Sequence, residues 1–378
     1  MKIAIAKETH PLERRVALIP DVVARLVKQG LEVFVEAGAG EQAYFYDGAY
    51  EKAGAQIISN TADLWQAGDV VVKIGNLQES EVGLLKAGGV FIGFLNPLGE
   101  PALIQRLADQ QVTAFSMEMV PRTSRAQVMD ALSSQANLAG YKSVLLAAVA
   151  LPKYFPMLTT AAGTIRPAKV LVMGAGVAGL QAIATARRLG AVVEGFDIRP
   201  EVKDQVQSLG AKFVDVTLDE DTVAEGGYAK EISQDAQQKT RAVLTKHVAN
   251  SDVVITTAQI PGKKAPVLVT KEMVDEMKPG SVVVDLAAEQ GGNCECTVAG
   301  QEVQWNGVTI IGPLNLPATM PVHASELYSK NISALLQLMI KDQQLNLDFE
   351  DDIIAGACMT HQGKIVNKRV QDALMVAK

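Results

Sequence analysis

Lys169-Val170-Leu171-Val172-Met173 runs without a break into Gly174-Ala175-Gly176-Val177-Ala178-Gly179, and Leu180 to Leu189 follows as an alanine-rich stretch closed by Gly190. An aliphatic strand, a glycine turn and a helix, in that order, form the context in which Gly-x-Gly-x-x-Gly binds a dinucleotide. A bare glycine pattern would carry little weight. Here the next apolar run, Val192 to Phe196, ends at Asp197, which lies 23 positions after Gly174. That is close to the ~20 expected of the acid that accepts hydrogen bonds from the adenosine ribose. Gly174 allows the tight turn, Gly176 lets a pyrophosphate approach the N–H groups that open the helix, and Gly179 lets helix and strand pack closely. The Asp197 carboxylate would repel a 2′-phosphate, which argues for NAD(H) over NADP(H). Arg199 pulls the other way, because a guanidinium pairs with phosphate; the balance favours NAD(H). The plain alternative is an ordinary strand–helix corner with Asp197 as a solvated loop acid.

Outward from this turn, strand-like runs recur at Val192–Phe196, Lys212–Val216, Val253–Thr257, Ser281–Leu286 and Val308–Ile311. With Lys169–Met173 they make six, the full count of a Rossmann sheet. An earlier block has the same rhythm, with runs at Ile3–Ala6, Val33–Val35, Val70–Ile74, Val90–Leu95 and Ala114–Met117. Between its strands lie helical stretches such as Pro20–Gln29, started by Pro20 and Asp21 and stopped by Gly30. Met129 to Ala150 contains no proline and reads as a long helix crossing between the blocks; a second, from about Pro321 to Met339, carries the chain back. The expected fold is α/β: two doubly wound, parallel-sheet, Rossmann-like domains joined by long helices. Residues 1–128 with 321–378 form the first domain and 129–320 the NAD(H)-binding one. A length of 378 residues fits two domains.

Composition closes several alternatives. With 35 Lys and Arg against 42 Asp and Glu the net charge is −7, and no basic stripe interleaved with aromatics stands out, so nucleic acid is not an expected partner. Apolar stretches such as Val144–Leu151 fall far short of the roughly 18 residues a spanning helix needs. The start turns charged within a few residues of Met1, unlike a secretory signal, so the chain is expected in the cytoplasm. Cys294, Cys296 and Cys358 are an odd set suited to a reducing compartment. Cys294-Glu295-Cys296 has no third Cys or His at ligand spacing, so no metal is expected.

Longer motifs carry a resemblance. Arg122-Thr123-Ser124-Arg125-Ala126-Gln127-Val128-Met129-Asp130, Leu132 to Tyr141, Met173 to Ala186, Gly226-Gly227-Tyr228-Ala229-Lys230-Glu231 and Thr256-Thr257-Ala258-Gln259-Ile260-Pro261-Gly262 are similar to the NAD(H)-binding soluble component, domain I, of proton-translocating nicotinamide nucleotide transhydrogenase. The likeness covers nearly the whole chain. Alanine dehydrogenase is a relative of that family and shares the opening Lys7-Glu8 to Arg15-Val16-Ala17. A dehydrogenase of a 2-oxo acid needs a cation for the carboxylate, for which Arg15 and Lys73 are candidates, and an imidazole as acid and base. The position matching its histidine is Asn96, whose amide cannot titrate. His10, His247, His323 and His361 read as surface residues. Hydride exchange between two nicotinamides involves no net proton, so the missing imidazole fits transhydrogenation.

The resemblance also implies site residues. Arg122, Gln127, Asp130 and Ser133 would surround the nicotinamide, with Val128 and Met129 among the contacts. Gln127, Asp130 and Ser133, spaced at three, would share one face at the start of the long helix, and Arg122 would pair with Asp130; first-turn capping is the alternative reading. Val177, Asp197, Ile198, Arg199, Gly227, Thr240 and Gln259 match other NAD contacts, although glutamine is common in the family at 240 and leucine at 259. Asp215 to Gln238 resembles a mobile loop with Tyr228 at its tip. The implied activity is that of an NAD(P)+ transhydrogenase, Si/Re-specific and proton-translocating. Only one dinucleotide fingerprint is present, so NADP(H) would sit on a partner subunit and the proton path on a membrane-spanning one. The family further implies a homodimer, held at the inner membrane through its partners. An alanine dehydrogenase and a non-catalytic NAD-sensing module are the competing readings.

Overall fold

The computed structural model describes residues 1–75, 77–216, 233–260 and 262–376. The chain forms two compact units, Met1–Gln135 with Pro317–Lys378, and Ala136–Leu316.

The first unit is built on β1 (Lys2–Ile5), β2 (Glu32–Glu36), β3 (Gln56–Ile58), β4 (Val70–Val72), β5 (Val90–Gly93) and β6 (Thr113–Ser116). They lie in the order β3-β2-β1-β4-β5-β6, all parallel. Strands such as Val70–Val72 are apolar and buried along their length, as expected of a parallel sheet covered by helices on both faces. Beyond β6 the sheet gains an antiparallel hairpin, Cys358–His361 and Lys364–Ile365. Pro20–Lys28 is the expected helix, with proline in its first turn and Gly30 at φ +87° beyond its end. β3 was not expected: Gln56-Ile57-Ile58 is three residues long, partly exposed and at the sheet edge, too short for a periodic signal.

After the long helix the second unit has a hairpin, β7 (Leu158–Thr160) and β8 (Gly163–Ile165), and then carries β9 (Lys169–Met173), β10 (Val192–Phe196), β11 (Lys212–Phe213), β12 (Val253–Thr256), β13 (Val282–Asp285), β14 (Glu302–Trp305) and β15 (Val308–Ile311). The sheet order is β11-β10-β9-β12-β13-β15-β14. All six expected strands are present and parallel, in the doubly wound order of a dinucleotide-binding sheet. β11 is shorter than expected, and β14 adds an unforeseen antiparallel edge.

The long helix runs Ala131–Ala150, two residues shorter at its start than expected; Ser124–Met129 is instead 3₁₀. The return falls at the turn Leu316–Thr319, so Pro321–Met339 belongs wholly to the first unit rather than crossing. No helix among the described residues is long and apolar enough to span a membrane.

Candidate functional site

The glycine turn follows β9 directly, at the carboxyl end of the sheet where doubly wound folds bind their ligands. Gly174 has φ +98°, a left-handed conformation that a side chain disfavours, and a Cβ there would stand 2.5 Å from Thr257 Oγ1. Thr257 Oγ1 donates to the Gly174 carbonyl at 3.0 Å. A Cβ at Gly179 would stand 1.8 Å from that same carbonyl oxygen, so the helix Val177–Arg188 can reach the strand only with glycine at this point. On its other side Gly140 does the same: a Cβ there would lie 2.1 Å from the carbonyl oxygen of Ala178. Gly176 differs, because a Cβ there meets nothing within 4 Å. It is the N-terminal cap of the helix and makes no side-chain cap, so space remains in front of the N–H groups that open the helix. This space and the helix dipole suit a pyrophosphate. Val177, next in the turn, is exposed.

Asp197 stands at the end of β10, as expected, but its carboxylate is not open. Its Oδ2 accepts from Ala175 N–H at 2.7 Å, and Oδ1 accepts from Arg199 N–H at 2.9 Å. The Arg199 side chain adds Nε–H to Oδ1 at 2.9 Å and Nη2–H to Oδ2 at 2.8 Å. Sequence reasoning set Arg199 against a phosphate; the structure sets it against Asp197. Ile198 between them is partly buried.

A second buried carboxylate, not singled out from sequence, orders the neighbouring loops. Asp285 at the end of β13 is fully buried and accepts from Thr256 Oγ1, Ala287 N–H, Asn293 N–H, Cys294 N–H and Thr297 Oγ1 at 2.8–3.0 Å. Asn293 in turn grips Ala258, accepting from its N–H at 3.0 Å and donating to its carbonyl at 2.8 Å. This fixes the segment Thr257-Ala258-Gln259 beside the glycine turn. Gln259 is exposed and donates to the Leu286 carbonyl at 3.0 Å. Thr240 lies on the helix Gln234–Asn250, buried, with its hydroxyl donating to the Ala236 carbonyl at 2.7 Å. A hydroxyl occupied within its own helix is poorly placed to contact a ligand. Gly227 and Tyr228 lie outside the described residues.

In the first unit, Gln127, Asp130 and Ser133 do not share one helical face. Because the helix begins at Ala131, Gln127 lies in the 3₁₀ turn, Asp130 precedes the helix and Ser133 is in its first turn. Asp130 Oδ1 accepts Ser133 N–H at 2.9 Å and Oδ2 accepts Ser133 Oγ–H at 2.6 Å. That is an N-cap, in which each carboxylate oxygen accepts a hydrogen bond from Ser133. Arg122, Gln127 and Val128 are exposed, while Met129 is buried. The turn is held from beneath by Asn331, which donates to the Val128 carbonyl at 2.9 Å and accepts from Ser134 Oγ at 2.8 Å. At its start Arg125 clamps Asp351 at 2.5 Å and also bonds Asp352. Exposed polar groups on so well-anchored a turn suit recognition better than stability.

The cations that a 2-oxo acid would need are already engaged. Arg15 makes a two-point contact with Glu13 at 2.7 and 2.6 Å and donates to Gln135 at 2.8 Å. Lys73, 1% exposed, bonds both oxygens of Glu81 at 2.7 and 2.8 Å and lies 3.8 Å from Glu8. Burial raises the Glu8 carboxyl to about 7. Asn96 occupies a left-handed turn at φ +45°, with its N–H donating to Glu118 at 2.8 Å; asparagine tolerates that conformation well. His10 and His323 are exposed as expected, but His247 and His361 are half-buried against Glu194 and Thr113. Cys294 is buried, and its thiol is pushed up to about 12, far from a reactive thiolate.

Comparison with known proteins identifies the family. Residues 4–139 match the family described as alanine dehydrogenase/PNT, N-terminal domain, and residues 143–368 match alanine dehydrogenase/PNT, C-terminal domain. The chain is 47% identical over 376 residues to the first section of the NAD(P) transhydrogenase subunit alpha of Rhodospirillum rubrum, covering 97% of this chain and 98% of that one. It is 44% identical over 367 residues to NAD(P) transhydrogenase subunit alpha of Haemophilus influenzae, covering 96% and 71%. Alanine dehydrogenase 2 of Staphylococcus aureus is more distant, at 31% over 382 residues, covering 99% and 96%. Among solved structures, transhydrogenase from Sinorhizobium meliloti aligns with a TM-score of 0.87 at 46% identity, over 97% of this chain and all of that one. An L-alanine dehydrogenase aligns at 0.82 and 27%, over the whole of both. The chain therefore belongs to the alanine dehydrogenase/PNT family and stands, within it, with the NAD(P) transhydrogenase alpha subunits.

Proposed function

We propose that this chain is the NAD(H)-binding component of the transhydrogenase, working with a partner subunit that holds NADP(H) and a membrane-spanning partner that moves protons. The observation that carries the reading is the pairing of an open cradle at Gly176 with a buried Asp197 at the end of the next strand. Nicotinamide nucleotides supply hydride exchange between their rings. The protein's part is to bind and orient, and it needs no general acid. Gly176 and Val177 offer backbone N–H groups to phosphate, and Asp197 takes the ribose. Gly174 and Gly179 shape the turn, while Ile198, Gly227 and the backbone at Gln259 are further contacts implied by likeness to the family; at the matching positions the Thr240 hydroxyl donates to Ala236 and the Arg199 guanidinium to Asp197. Gln127 and Ser133 hydrogen-bond the nicotinamide carboxamide, Arg122 and Asp130 pair to orient the head with Val128 and Met129 among the contacts, and Tyr228 belongs to the covering loop.

Two observations support a partner for the second nucleotide. The first unit repeats the doubly wound strand order, yet β1 continues into Ala6-Lys7-Glu8-Thr9-His10, which contains no glycine to let phosphate approach. Arg15 and Lys73 are paired with Glu13 and Glu81, which weighs against a small anionic substrate as the other hydride partner. A homodimer is supported by the exposed apolar side chains of Val149, Tyr154, Met157 and Ile165, which fit a covered surface. The specificity is Si/Re, and the chain sits in the cytoplasm at the inner membrane through its partners.

The deciding experiment mixes the chain with an NADP(H)-binding partner domain and follows hydride transfer to an NAD analogue. Transfer that requires both proteins is expected. No turnover with a competent partner overturns the reading, as does NADH oxidation by the chain alone with pyruvate and ammonia.

A further inference from the structure

We infer that the Arg199 guanidinium is an intramolecular stand-in for the adenosine ribose, displaced from Asp197 when a dinucleotide binds, and that this exchange sets the preference between NAD(H) and NADP(H). The inference rests on the NAD(H) reading of the Gly174–Gly179 turn.

Asp197 is saturated. A carboxylate accepts along about four lone-pair directions. On Asp197 two are filled by backbone groups, Ala175 N–H and Arg199 N–H, at 2.7 and 2.9 Å. The other two are filled by the Nε–H and Nη2–H of one guanidinium, at 2.9 and 2.8 Å. A ribose diol presents two O–H donors side by side, as a guanidinium edge presents two N–H donors. It therefore asks for the acceptor directions that Arg199 holds. The backbone bonds belong to the turn and the strand end, so the side-chain pair is what a ligand can replace.

The exchange is unequal. Charge-assisted bonds give way to bonds with neutral hydroxyls, which are weaker. The Asp197 side chain is 5% exposed, so little water compensates for the departing counter-ion. NAD(H) therefore binds less tightly than the carboxylate alone would allow, and it leaves faster. Fast exchange suits a site whose nucleotide must be replaced at every turnover. A 2′-phosphate meets the opposite balance. It lacks one diol donor and is repelled by Asp197, but it gains the released guanidinium as a partner. Arg199 thus opposes NAD(H) and favours NADP(H), while Asp197 does the reverse.

The test measures NADH and NADPH dissociation constants of the full chain, by fluorescence or calorimetry, for the parent, Arg199→Ala and Arg199→Lys. Arg199→Ala is expected to tighten NADH by about three- to tenfold and to weaken NADPH by a similar factor. Arg199→Lys, a point charge that cannot fill both positions, is expected to move NADH in the same direction by less, and it serves if the alanine variant fails to fold. NADH affinity that is unchanged or weaker in the variants overturns the displacement. A parent chain that binds no NADH overturns the reading of the turn itself, and the two failures are told apart by that first measurement.

Discussion

The carbonyl oxygen of Gly174 occupies the place that a side chain at residue 179 would need, since a Cβ on Gly179 would stand 1.8 Å away. Gly179→Ala must push the helix off the strand, and overpacking of this kind costs about 1–3 kcal/mol or more. Gly176 has open space in front of it, so Gly176→Ala is expected to keep the unfolding midpoint and weaken NADH binding. Urea unfolding and NADH titration of both variants separate the two tasks. Equal stability losses would show that Gly176 is also a packing residue.

Asp130 caps the long helix through Ser133. Asparagine is as good an N-cap as aspartate, so Asp130→Asn keeps the cap and removes only the charge. Stability within about 0.5 kcal/mol of the parent is expected, with slower hydride transfer in the reconstituted system. Asp130→Ala should lose about 1 kcal/mol as well. Full activity in the asparagine variant would reduce Asp130 to a structural cap.

Asp285→Ala strands the donors of Thr256, Thr297 and three backbone N–H groups. The expected loss is about 3–5 kcal/mol, read from chemical unfolding. Asn293→Ala should cost less stability while loosening Ala258 and weakening NADH binding. A destabilised Asn293 variant with parental affinity would detach this segment from the nucleotide.

Glu8 gives the first unit a pH dependence. Its carboxyl, 5% exposed, accepts from Ile74 N–H and Gly75 N–H at 2.6 and 3.3 Å, and burial raises it from 4.5 to about 7. Between those values the folded chain keeps a proton that the unfolded chain has released. Stability therefore falls as pH rises through the window and levels off above it. The contribution is on the order of 3 kcal/mol. Glu8→Gln should remove it, so that the variant gains on the parent between pH 5 and pH 8. Parallel unfolding midpoints at the two pH values would exclude Glu8 as the source.

The six parallel strands of the second unit's sheet were legible because each is an apolar run bounded by turn residues. The glycine turn was legible because three steric demands fall at fixed spacing. The Gln56–Ile58 and Glu302–Trp305 strands were not, since edge strands are short and half-exposed and carry no periodic signature. Asp197 could be placed at the end of its strand, but nothing in Asp197-Ile198-Arg199 reveals that the arginine folds back across two residues. Asp285 escaped notice for a related reason: its donors come from Thr256 and from a loop as far away as Thr297, and only the fold assembles them. The offset at Asp130 followed from taking spacing by three for one helix, where a 3₁₀ turn and a cap produce the same spacing.

The second unit is one continuous stretch, Ala136–Leu316, whereas the first needs both ends of the chain. Its last strand pair, Cys358–His361 and Lys364–Ile365, extends the sheet beyond β6. During synthesis, therefore, the second unit can finish folding while its predecessor still waits, with the Thr113–Ser116 strand as a bare edge open to unwanted pairing. A ribosome-stalled chain ending before residue 350 should show a folded second unit, and it should be the first unit that calls for a chaperone.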